Sequence, residues 1–242
     1  GIGAALAVGY ASLGITLYIL GRDAARLEDV ATRCRALGAH VESAVVDVTD
    51  KAGMANVIAR MDDAAPIDLV IANAGISSGS FSGGETLAMA EQVFAVNFEG
   101  VINTIHPLIE RMKARGRGHI AIMSSLAGIC ALPSAPAYSA SKAAVRVYGD
   151  ALRGMLKPYA IDVSVICPGW ISTPLTDKNT FPMPFIMPVT RATHIIMRNL
   201  EKKKARIAFP FSLYAALRII AFLPVTWSDF ILRQLPVKPH KT

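Results

Sequence analysis

Short apolar runs alternate with longer segments of helical spacing along most of this chain. Repeated strand–helix alternation predicts a parallel sheet covered by helices on both faces. The fold class is therefore predicted to be α/β, a doubly wound parallel sheet. Strands are predicted at 15–20, 41–46, 67–72, 119–123, 161–167 and 205–209, and helices at 1–13, 23–37, 50–61, 85–115 and 136–159. Asn97 lies inside the helix at 85–115, which is long enough to be broken or bent.

Length and composition restrict the class of protein further. The chain has 242 residues, 52% of them hydrophobic and 18% charged, which suits one α/β domain with a sizeable core. Cys34, Cys130 and Cys167 are odd in number and lie in or beside apolar runs. This usage favours free buried thiols in a reducing compartment over a disulfide framework. The cysteines show no zinc-ligand spacing, so we expect no metal.

The net charge of +7 is concentrated in the last part of the chain. Residues 190–242 contain ten basic and two acidic side chains, a net charge of +8, and the remainder carries −1. A basic tail of this kind can meet nucleic acid, an anionic membrane or only water.

The segment from Tyr138 to Lys142, Tyr-Ser-Ala-Ser-Lys, contains a chemically useful pair. The spacing of four places the phenol and the ammonium on one face of a helix, one turn apart. A free phenol has a pKa of about 10, and a nearby cation lowers it. Such a phenol can give a proton to a carbonyl oxygen or take one from an alcohol. Ser125 follows a predicted strand and is expected at the carboxyl edge of the sheet, where open α/β sheets bind ligands.

A tyrosine and a lysine four apart are more often a surface pair, and it is the accompanying motifs that favour a functional role. Their order and spacing resemble the short-chain dehydrogenase/reductase family over nearly the whole chain, to about Pro210. The motifs are Asn73-Ala74-Gly75 after a strand, Asn97 in Val-Asn-Phe-Glu-Gly, Ser125 before Leu-Ala-Gly, and Pro168-Gly169 at the start of Pro-Gly-Trp-Ile-Ser-Thr-Pro.

The resemblance implies a catalytic role for four side chains. Tyr138 is expected to be the general acid/base, and Lys142 to lower its pKa and hold the nicotinamide ribose. Ser125 is expected to hydrogen-bond the substrate oxygen, although Ser124 is a neighbouring candidate. Asn97 is expected to hold a water near Lys142 and so complete a proton relay; the alternative is a polar residue satisfied in the core.

The resemblance also implies a cofactor-binding surface. Gly1, Ile2 and Gly3 look like the end of a phosphate-binding loop at a helix amino end. The family pattern places further loop residues and an innermost strand ahead of Gly1, so we expect a short N-terminal piece to precede it. The other expected contacts are Asp47 and Val48 with adenine, Asn73, Ala74 and Gly75 at a strand end, and Pro168, Gly169, Ile171 and Thr173 with the nicotinamide and diphosphate.

The end of the strand at 15–20 bears on cofactor choice. An acid there selects NAD, whereas an arginine accommodates the 2′-phosphate of NADP. Gly21 appears at the acid position and Arg22 follows it, which favours NADP(H) over NAD(H). Asp23 complicates this assignment, because it can either bind the ribose or cap the next helix.

Two segments bear on the substrate and on partners. Residues 175–188 include Phe181, Met183, Phe185 and Met187. This composition suits a lid over an apolar ligand, ordinary loop packing or a subunit contact. Residues 211–242 are predicted as an apolar and basic helical extension of the catalytic domain at 1–210. Two apolar sets at helical spacing are Leu213, Leu217, Ile220 and Leu223, then Trp227, Phe230 or Ile231, and Leu235. They predict either peripheral contact with an anionic membrane or packing on the domain or a second subunit.

The sequence therefore predicts an NAD(P)-dependent oxidoreductase acting on a carbonyl or secondary alcohol, with a small and apolar substrate. An epimerase or dehydratase, or a non-catalytic cofactor-binding scaffold, are the alternatives. We further expect a homo-oligomer, a dimer or tetramer, without nucleic acid as a partner. The expected location is cytoplasmic. If the C-terminal extension binds lipid, the expected location is the membrane surface.

Overall fold

The structure, a computed structural model, describes residues 1–77, 85–176 and 183–234, and strands and helices alternate through them. The elements are α1 (Ile2–Tyr10), β1 (Thr16–Gly21), α2 (Ala24–Ala36), β2 (His40–Val45), α3 (Lys51–Ala64), β3 (Leu69–Ala72), α4 (Leu87–Phe94), α5 (Gly100–Arg115), β4 (Gly118–Met123), α6 (Pro136–Leu156), β5 (Ile161–Pro168), β6 (Ile171–Ser172), β7 (Met187–Pro188), α7 (Val189–Glu201), β8 (Arg206–Phe209), α8 (Phe211–Phe222) and α9 (Val225–Leu232).

The main sheet is parallel, with strand order β3-β4-β5-β8, and β1 and β2 form a second parallel pair. Side chains of the central strand β4 alternate between the two faces of the sheet. Ile120 and Ile122 pack with helices α3, α5 and α6, whereas Ala121 and Met123 pack with α1 and α7. Helices therefore cover both faces of the sheet, and the predicted Rossmann-like α/β fold is confirmed.

Local side-chain chemistry explains where two helices begin. The carboxylate of Asp23 accepts a hydrogen bond from the backbone N–H of Arg26 at 3.0 Å, and Asp50 accepts one from Gly53 at 3.0 Å. Aspartate at this position satisfies an N–H that the first helical turn leaves unpaired. Asp23 is thus the cap of α2, the second of the two roles that the sequence allowed for it.

The long helix predicted at 85–115 is interrupted, as expected. A single π-helical turn, Ala95–Glu99, separates α4 from α5, and Asn97 lies in the middle of that turn. Such turns are rare in proteins and often occur at functional sites.

The three cysteines are buried and free, as predicted. Cys130 and Cys167 belong to the small apolar cluster against which the C-terminal helices pack.

The C-terminal helices pack on the domain through one of the two apolar sets that the sequence showed. Leu217 is buried, and Leu213 and Ile220 pack beside it against Leu126 and Cys130. This face is therefore already covered by the domain. For this apolar set, packing on the domain is the correct alternative, and contact with a membrane is wrong. We call the opposite side the outer face; its residues are 65 to 78% exposed and are Phe211, Ile219, Phe222, Val225, Trp227 and Phe230. Leu235, a member of the second set, lies outside the described residues.

None of the helices within residues 1–77, 85–176 and 183–234 has the length and apolarity needed to cross a membrane.

Candidate active site

Ser125 and Tyr138 come together at the carboxyl edge of the main sheet. Ser125 follows β4 and Tyr138 lies in the first turn of α6, and the neighbouring Ser125 hydroxyl lowers the pKa of the phenol against the larger effect of burial. The backbone N–H of Ala127 donates to the Ser125 oxygen at 3.1 Å, and the carbonyl of Pro168 lies 3.5 Å from it. These backbone contacts fix the position of the serine hydroxyl at the end of β4.

Ser124, the neighbouring candidate, points elsewhere. Its buried hydroxyl donates to the backbone carbonyl of Lys142 at 2.7 Å and so ties the end of β4 to α6. The two serines are therefore distinct, because the Ser124 hydroxyl is used by the backbone of α6, whereas the Ser125 hydroxyl acts on the pKa of Tyr138.

Lys142 is 3% exposed, and its ammonium donates to the carbonyl of Met123 at 2.9 Å. The ammonium lies 5.8 Å from the centre of the Tyr138 ring, one helical turn away, as the spacing predicted. Burial lowers the pKa of Lys142 to about 8, and the neighbouring Cys167 opposes that shift. Burial therefore destabilises the charged form of Lys142.

The sequence predicted a lowered pKa for Tyr138, and this prediction is wrong. Burial raises the pKa of the Tyr138 phenol, and the hydrogen bond from Ser125 opposes this rise without reversing it. Burial favours the neutral phenol because the phenolate loses its hydration. At neutral pH the phenol is consequently protonated and can act as a proton donor.

The side chain of Asn97 is fully buried and makes three hydrogen bonds. Its carbonyl oxygen accepts from the backbone N–H of Ile76 at 2.8 Å. Its amide donates to the carbonyl of Ile76 at 2.9 Å and to the hydroxyl of Ser141 at 3.0 Å. Asn97 thus links the segment after β3 to the catalytic helix α6. The same hydrogen bonds satisfy its polar atoms in the core.

The predicted phosphate loop meets the strand ends that were expected to face a cofactor. A Cβ placed on Gly3 would lie 2.6 Å from the Asn73 side-chain nitrogen, and one placed on Gly1 would lie 3.9 Å from the Cβ of Thr173. Ile2 packs beside these glycines into the cluster under α1. Gly3 therefore lets the Asn73 side chain pack against the first turn of α1, and Gly1 leaves the amino end of that helix without a side chain, which suits a phosphate.

Gly75, which Ala74 joins to Asn73, lies between two of the catalytic candidates. A Cβ on Gly75 would lie 3.1 Å from the ammonium of Lys142 and 3.3 Å from the Asn97 carbonyl oxygen. A larger residue would therefore fill the space that separates Lys142 from Asn97.

Arg22 and Asp47 form an ion pair at 3.4 Å at the ends of β1 and β2. The pKa of Asp47 is lowered, chiefly because the backbone N–H of Thr49 donates to the carboxylate. Arg22 remains 59% exposed, so most of its guanidinium is accessible. Val48, which follows Asp47, packs against the core, and its carbonyl accepts a hydrogen bond from the Asn103 side chain at 2.9 Å.

The segment after β5 is held by a residue that the sequence analysis missed. Thr176 donates to the carbonyls of Ile171 at 2.7 Å and Thr173 at 2.9 Å, and its oxygen accepts from the Thr173 N–H at 3.0 Å. The only local signal is a threonine three positions after Thr173, which is typical of a side-chain turn. Gly169 is held in turn by the carbonyl of Phe209 at 2.8 Å.

The predicted lid has a fixed base. Ile171 pairs with Met187 where β6 meets β7, and Met187 is buried. Phe185 and Ile186, just before that base, are 64% and 45% exposed. Phe181 lies outside the described residues.

Comparisons with known proteins identify the family of this chain. The family model for short chain dehydrogenase matches residues 1–182. An uncharacterised oxidoreductase of Myxococcus xanthus is 31% identical over 236 residues, which cover 97% of this chain and 93% of the relative. A short-chain dehydrogenase of Sphingobium yanoikuyae, solved with NADPH, is 25% identical with a TM-score of 0.81, over 97% of this chain and 92% of that one.

A short chain dehydrogenase/reductase of Burkholderia phymatum, solved with NAD, has a TM-score of 0.83 at 23% identity and supports the fold; the match covers all of this chain and 94% of that one. The chain belongs to the short-chain dehydrogenase/reductase family and is an NAD(P)-dependent oxidoreductase.

Proposed function

We propose that this chain interconverts a carbonyl and a secondary alcohol, with Tyr138 as the general acid/base and NADP(H) as the favoured cofactor. The observation that carries the proposal is that Ser125 and Tyr138 meet at the carboxyl edge of the sheet, with the buried ammonium of Lys142 5.8 Å from the centre of the Tyr138 ring. The open amino end of α1, at Gly1 and Gly3, would hold the diphosphate. When bound, the nicotinamide supplies or accepts the hydride.

The side chains have distinct roles in the reductive direction. Tyr138, protonated because burial raises its pKa, donates its phenolic proton to the carbonyl oxygen. Ser125 donates a hydrogen bond to the same oxygen, where negative charge develops. The Lys142 cation then favours the phenolate that remains.

The proton that Tyr138 loses must be replaced from solvent. Lys142 and the Asn97 carbonyl oxygen both lie beside Gly75, where there is no side chain to separate them. We place a water-mediated path here, with Lys142 passing the proton and Asn97 supporting the water. The Asn97 oxygen has a second lone pair besides the one that accepts from Ile76.

Two observations favour NADP(H). Asp23 is engaged as the cap of α2, so the nearest acid after β1 is used elsewhere. Arg22 is largely exposed at the strand end, and its guanidinium can pair with a 2′-phosphate in two parallel hydrogen bonds. Asp47, which pairs with Arg22, would orient the guanidinium beside the adenosine.

An apolar substrate fits the surroundings of the serine. Leu126 follows Ser125, and a Cβ on Gly169 would lie 3.5 Å from both Leu126 and Leu213. The first turn of α8 therefore forms an apolar border close to the reacting groups, and the exposed Phe185 and Ile186 extend the apolar surface of the lid segment.

The test is turnover of a panel of aliphatic, aromatic and steroid ketones and alcohols, with NADPH and NADH in parallel. Wild-type protein should oxidise NADPH with at least one ketone, and Tyr138→Phe should lose nearly all of that activity while still binding NADPH. An epimerase or dehydratase would convert substrate without net change in cofactor, and a scaffold would bind cofactor without turnover. Wild-type activity in Tyr138→Phe would remove Tyr138 from the mechanism.

An oligomer is proposed from the exposed side of α6. Val147 and Met155 are 55% and 54% exposed, and a Cβ on Gly154 would meet no neighbouring atom within 4 Å. A helix with this open apolar side can pack against the same side of a second copy. Val147→Arg should reduce the mass measured by light scattering; an unchanged mass would exclude this surface.

The second proposed partner is an anionic membrane, through the outer face of α8 and α9. The outer face includes Trp227, Arg218 packs over the ring of Phe222, and Arg233 directly follows α9. This combination is typical of helices that lie in a membrane interface. Lys203, in the basic run at 202–204, forms an ion pair with Asp162 at the start of β5.

A further inference from the structure

The catalytic helix α6 begins without a capping side chain of its own. Ala135 occupies the cap position and has no side-chain oxygen, and Pro136 follows it in the first helical position. Proline brings no N–H, so the N–H of Ala137 is the first donor in the turn that needs an acceptor. Ala137 is also the residue immediately before Tyr138.

A carboxylate from a distant part of the chain satisfies this donor. Glu85 accepts the hydrogen bond from the N–H of Ala137 at 2.9 Å. It is half-buried and directly precedes Thr86, whose hydroxyl accepts from Met89 at 3.3 Å and caps α4. Two adjacent residues therefore fix the beginnings of two helices, α4 through Thr86 and α6 through Glu85.

We propose that Glu85 is a positioning residue that holds the first turn of α6, and with it Tyr138, in the orientation needed for proton transfer. The inference rests on the proposed role of Tyr138. A carboxylate at a helix amino end is stabilised by the partial positive charge of the unpaired N–H groups, so this contact is stronger than one between neutral groups.

The other hydrogen bonds near this turn involve different groups and do not satisfy the N–H of Ala137, so they cannot replace the bond to Glu85. Ser139 accepts from the N–H of Leu132 at 3.0 Å, and Ser141 accepts from Asn97 at 3.0 Å while donating to the Tyr138 carbonyl at 2.8 Å. These bonds hold the middle of the Tyr138–Lys142 segment. The N–H of Ala137, at its beginning, has Glu85 as its described partner.

The test combines kinetics with a probe of the phenol that does not depend on turnover. The chain has six tyrosines, so 3-fluorotyrosine labelling gives a small set of fluorine resonances, and Tyr138→Phe assigns the one at position 138. Glu85→Ala should shift and broaden that resonance and lower kcat on the order of ten- to a hundredfold. KM for NADPH should change by less than about twofold, because the cofactor surface is not altered.

Conservative variants separate positioning from general destabilisation. Glu85→Gln keeps an oxygen that accepts the N–H and should restore both the resonance and kcat. Glu85→Asp shortens the reach and should be intermediate, and it serves if the alanine variant does not fold. Glu91→Ala removes an exposed acid from α4 and should change neither readout.

Two results would overturn the inference: an unmoved Tyr138 resonance in Glu85→Ala, or a glutamine variant as defective as alanine. If the wild type transfers no hydride to any ketone, the proposed function fails, and the fluorine resonance still decides whether Glu85 positions the phenol.

Discussion

Lys142 donates a hydrogen bond to the carbonyl of Met123 at 2.9 Å, at the end of the central strand β4. This bond satisfies one of the three ammonium protons, while the side chain is 3% exposed. Burial accordingly lowers the pKa of Lys142 to about 8. The folded chain thus keeps a cation where an apolar side chain would be more stable, a common feature of functional sites.

The first prediction concerns the stability cost of this cation. Unfolded, Lys142 has an ordinary pKa of about 10.4. Between pH 8 and that value the unfolded chain binds more protons at this site, so its contribution to stability rises with pH. Below pH 8 the cost is fully present. Lys142→Met should therefore raise the free energy of unfolding by roughly 1–3 kcal/mol at pH 7, with loss of turnover.

The measurement is urea unfolding of both proteins from pH 7 to pH 10. The difference in the free energy of unfolding should shrink as the pH rises above 8, because the wild-type lysine becomes neutral. A methionine variant that is less stable at pH 7, or a difference that does not depend on pH, would show that the ammonium is not destabilising.

The second prediction separates the two adjacent serines. Ser125→Ala should lower kcat by about a hundredfold or more with little change in stability, because it removes a donor to the reacting oxygen. Ser124→Ala should cost about 0.5–1.5 kcal/mol of stability, because the buried hydrogen bond to the carbonyl of Lys142 is lost. Steady-state kinetics and thermal unfolding of both variants provide the comparison. A larger kinetic loss in Ser124→Ala would reverse the assignment.

The sequence predicted strands β1 to β5 and β8 and most helices because their apolar spacing is a local property; it did not predict the two-residue strands β6 and β7 or helix α7. The position of Asn97 in an irregular helix could also be predicted, since asparagine is a poor helix former. Its partners could not: Ile76 and Ser141 are distant in the chain, and only the packed fold brings them together. The cap of α6 by Glu85 had no local signal for the same reason.

The third prediction concerns the choice of cofactor. Arg22→Ala should weaken NADPH binding by about 1.5–3 kcal/mol, because a charge-assisted contact to the 2′-phosphate is lost, and should change NADH binding little. Asp23→Ala is the matched control, since Asp23 caps α2 and should affect stability more than cofactor choice. Titration of both cofactors by fluorescence tests this. Equal weakening of NADPH and NADH by Arg22→Ala would defeat the assignment.

The C-terminal extension shows where periodicity alone was insufficient. Leu213, Leu217 and Ile220 recur at helical spacing, and spacing identifies an apolar face without showing what covers it. In the structure the apolar cluster around Leu126 and Cys130 covers that face. The exposed apolar residues lie on the other side of α8, where Arg218 packs over the ring of Phe222 at 5.2 Å.

The last prediction therefore addresses the outer face rather than the whole extension. Removing α8 would uncover the cluster that Leu217 helps to bury, so a truncation would confuse unfolding with lost binding. Phe222→Ser combined with Trp227→Ser changes two side chains that are 78% and 66% exposed and leaves the inner face intact. Leu13→Ser, at a position 89% exposed and far from the extension in sequence, is the matched control.

Wild-type protein should sediment with vesicles of phosphatidylcholine and phosphatidylserine, more as the anionic fraction rises and less as salt is added. Each cation near such a surface contributes about 1 kcal/mol, so Arg218 and Arg233 account for the salt dependence. The double variant should lose about tenfold or more in binding, because two apolar side chains no longer enter the interface. Leu13→Ser should bind like the wild type. A wild-type chain that stays in the supernatant at low salt would exclude the membrane, and a lower mass for the double variant by light scattering would identify the outer face as a contact between subunits.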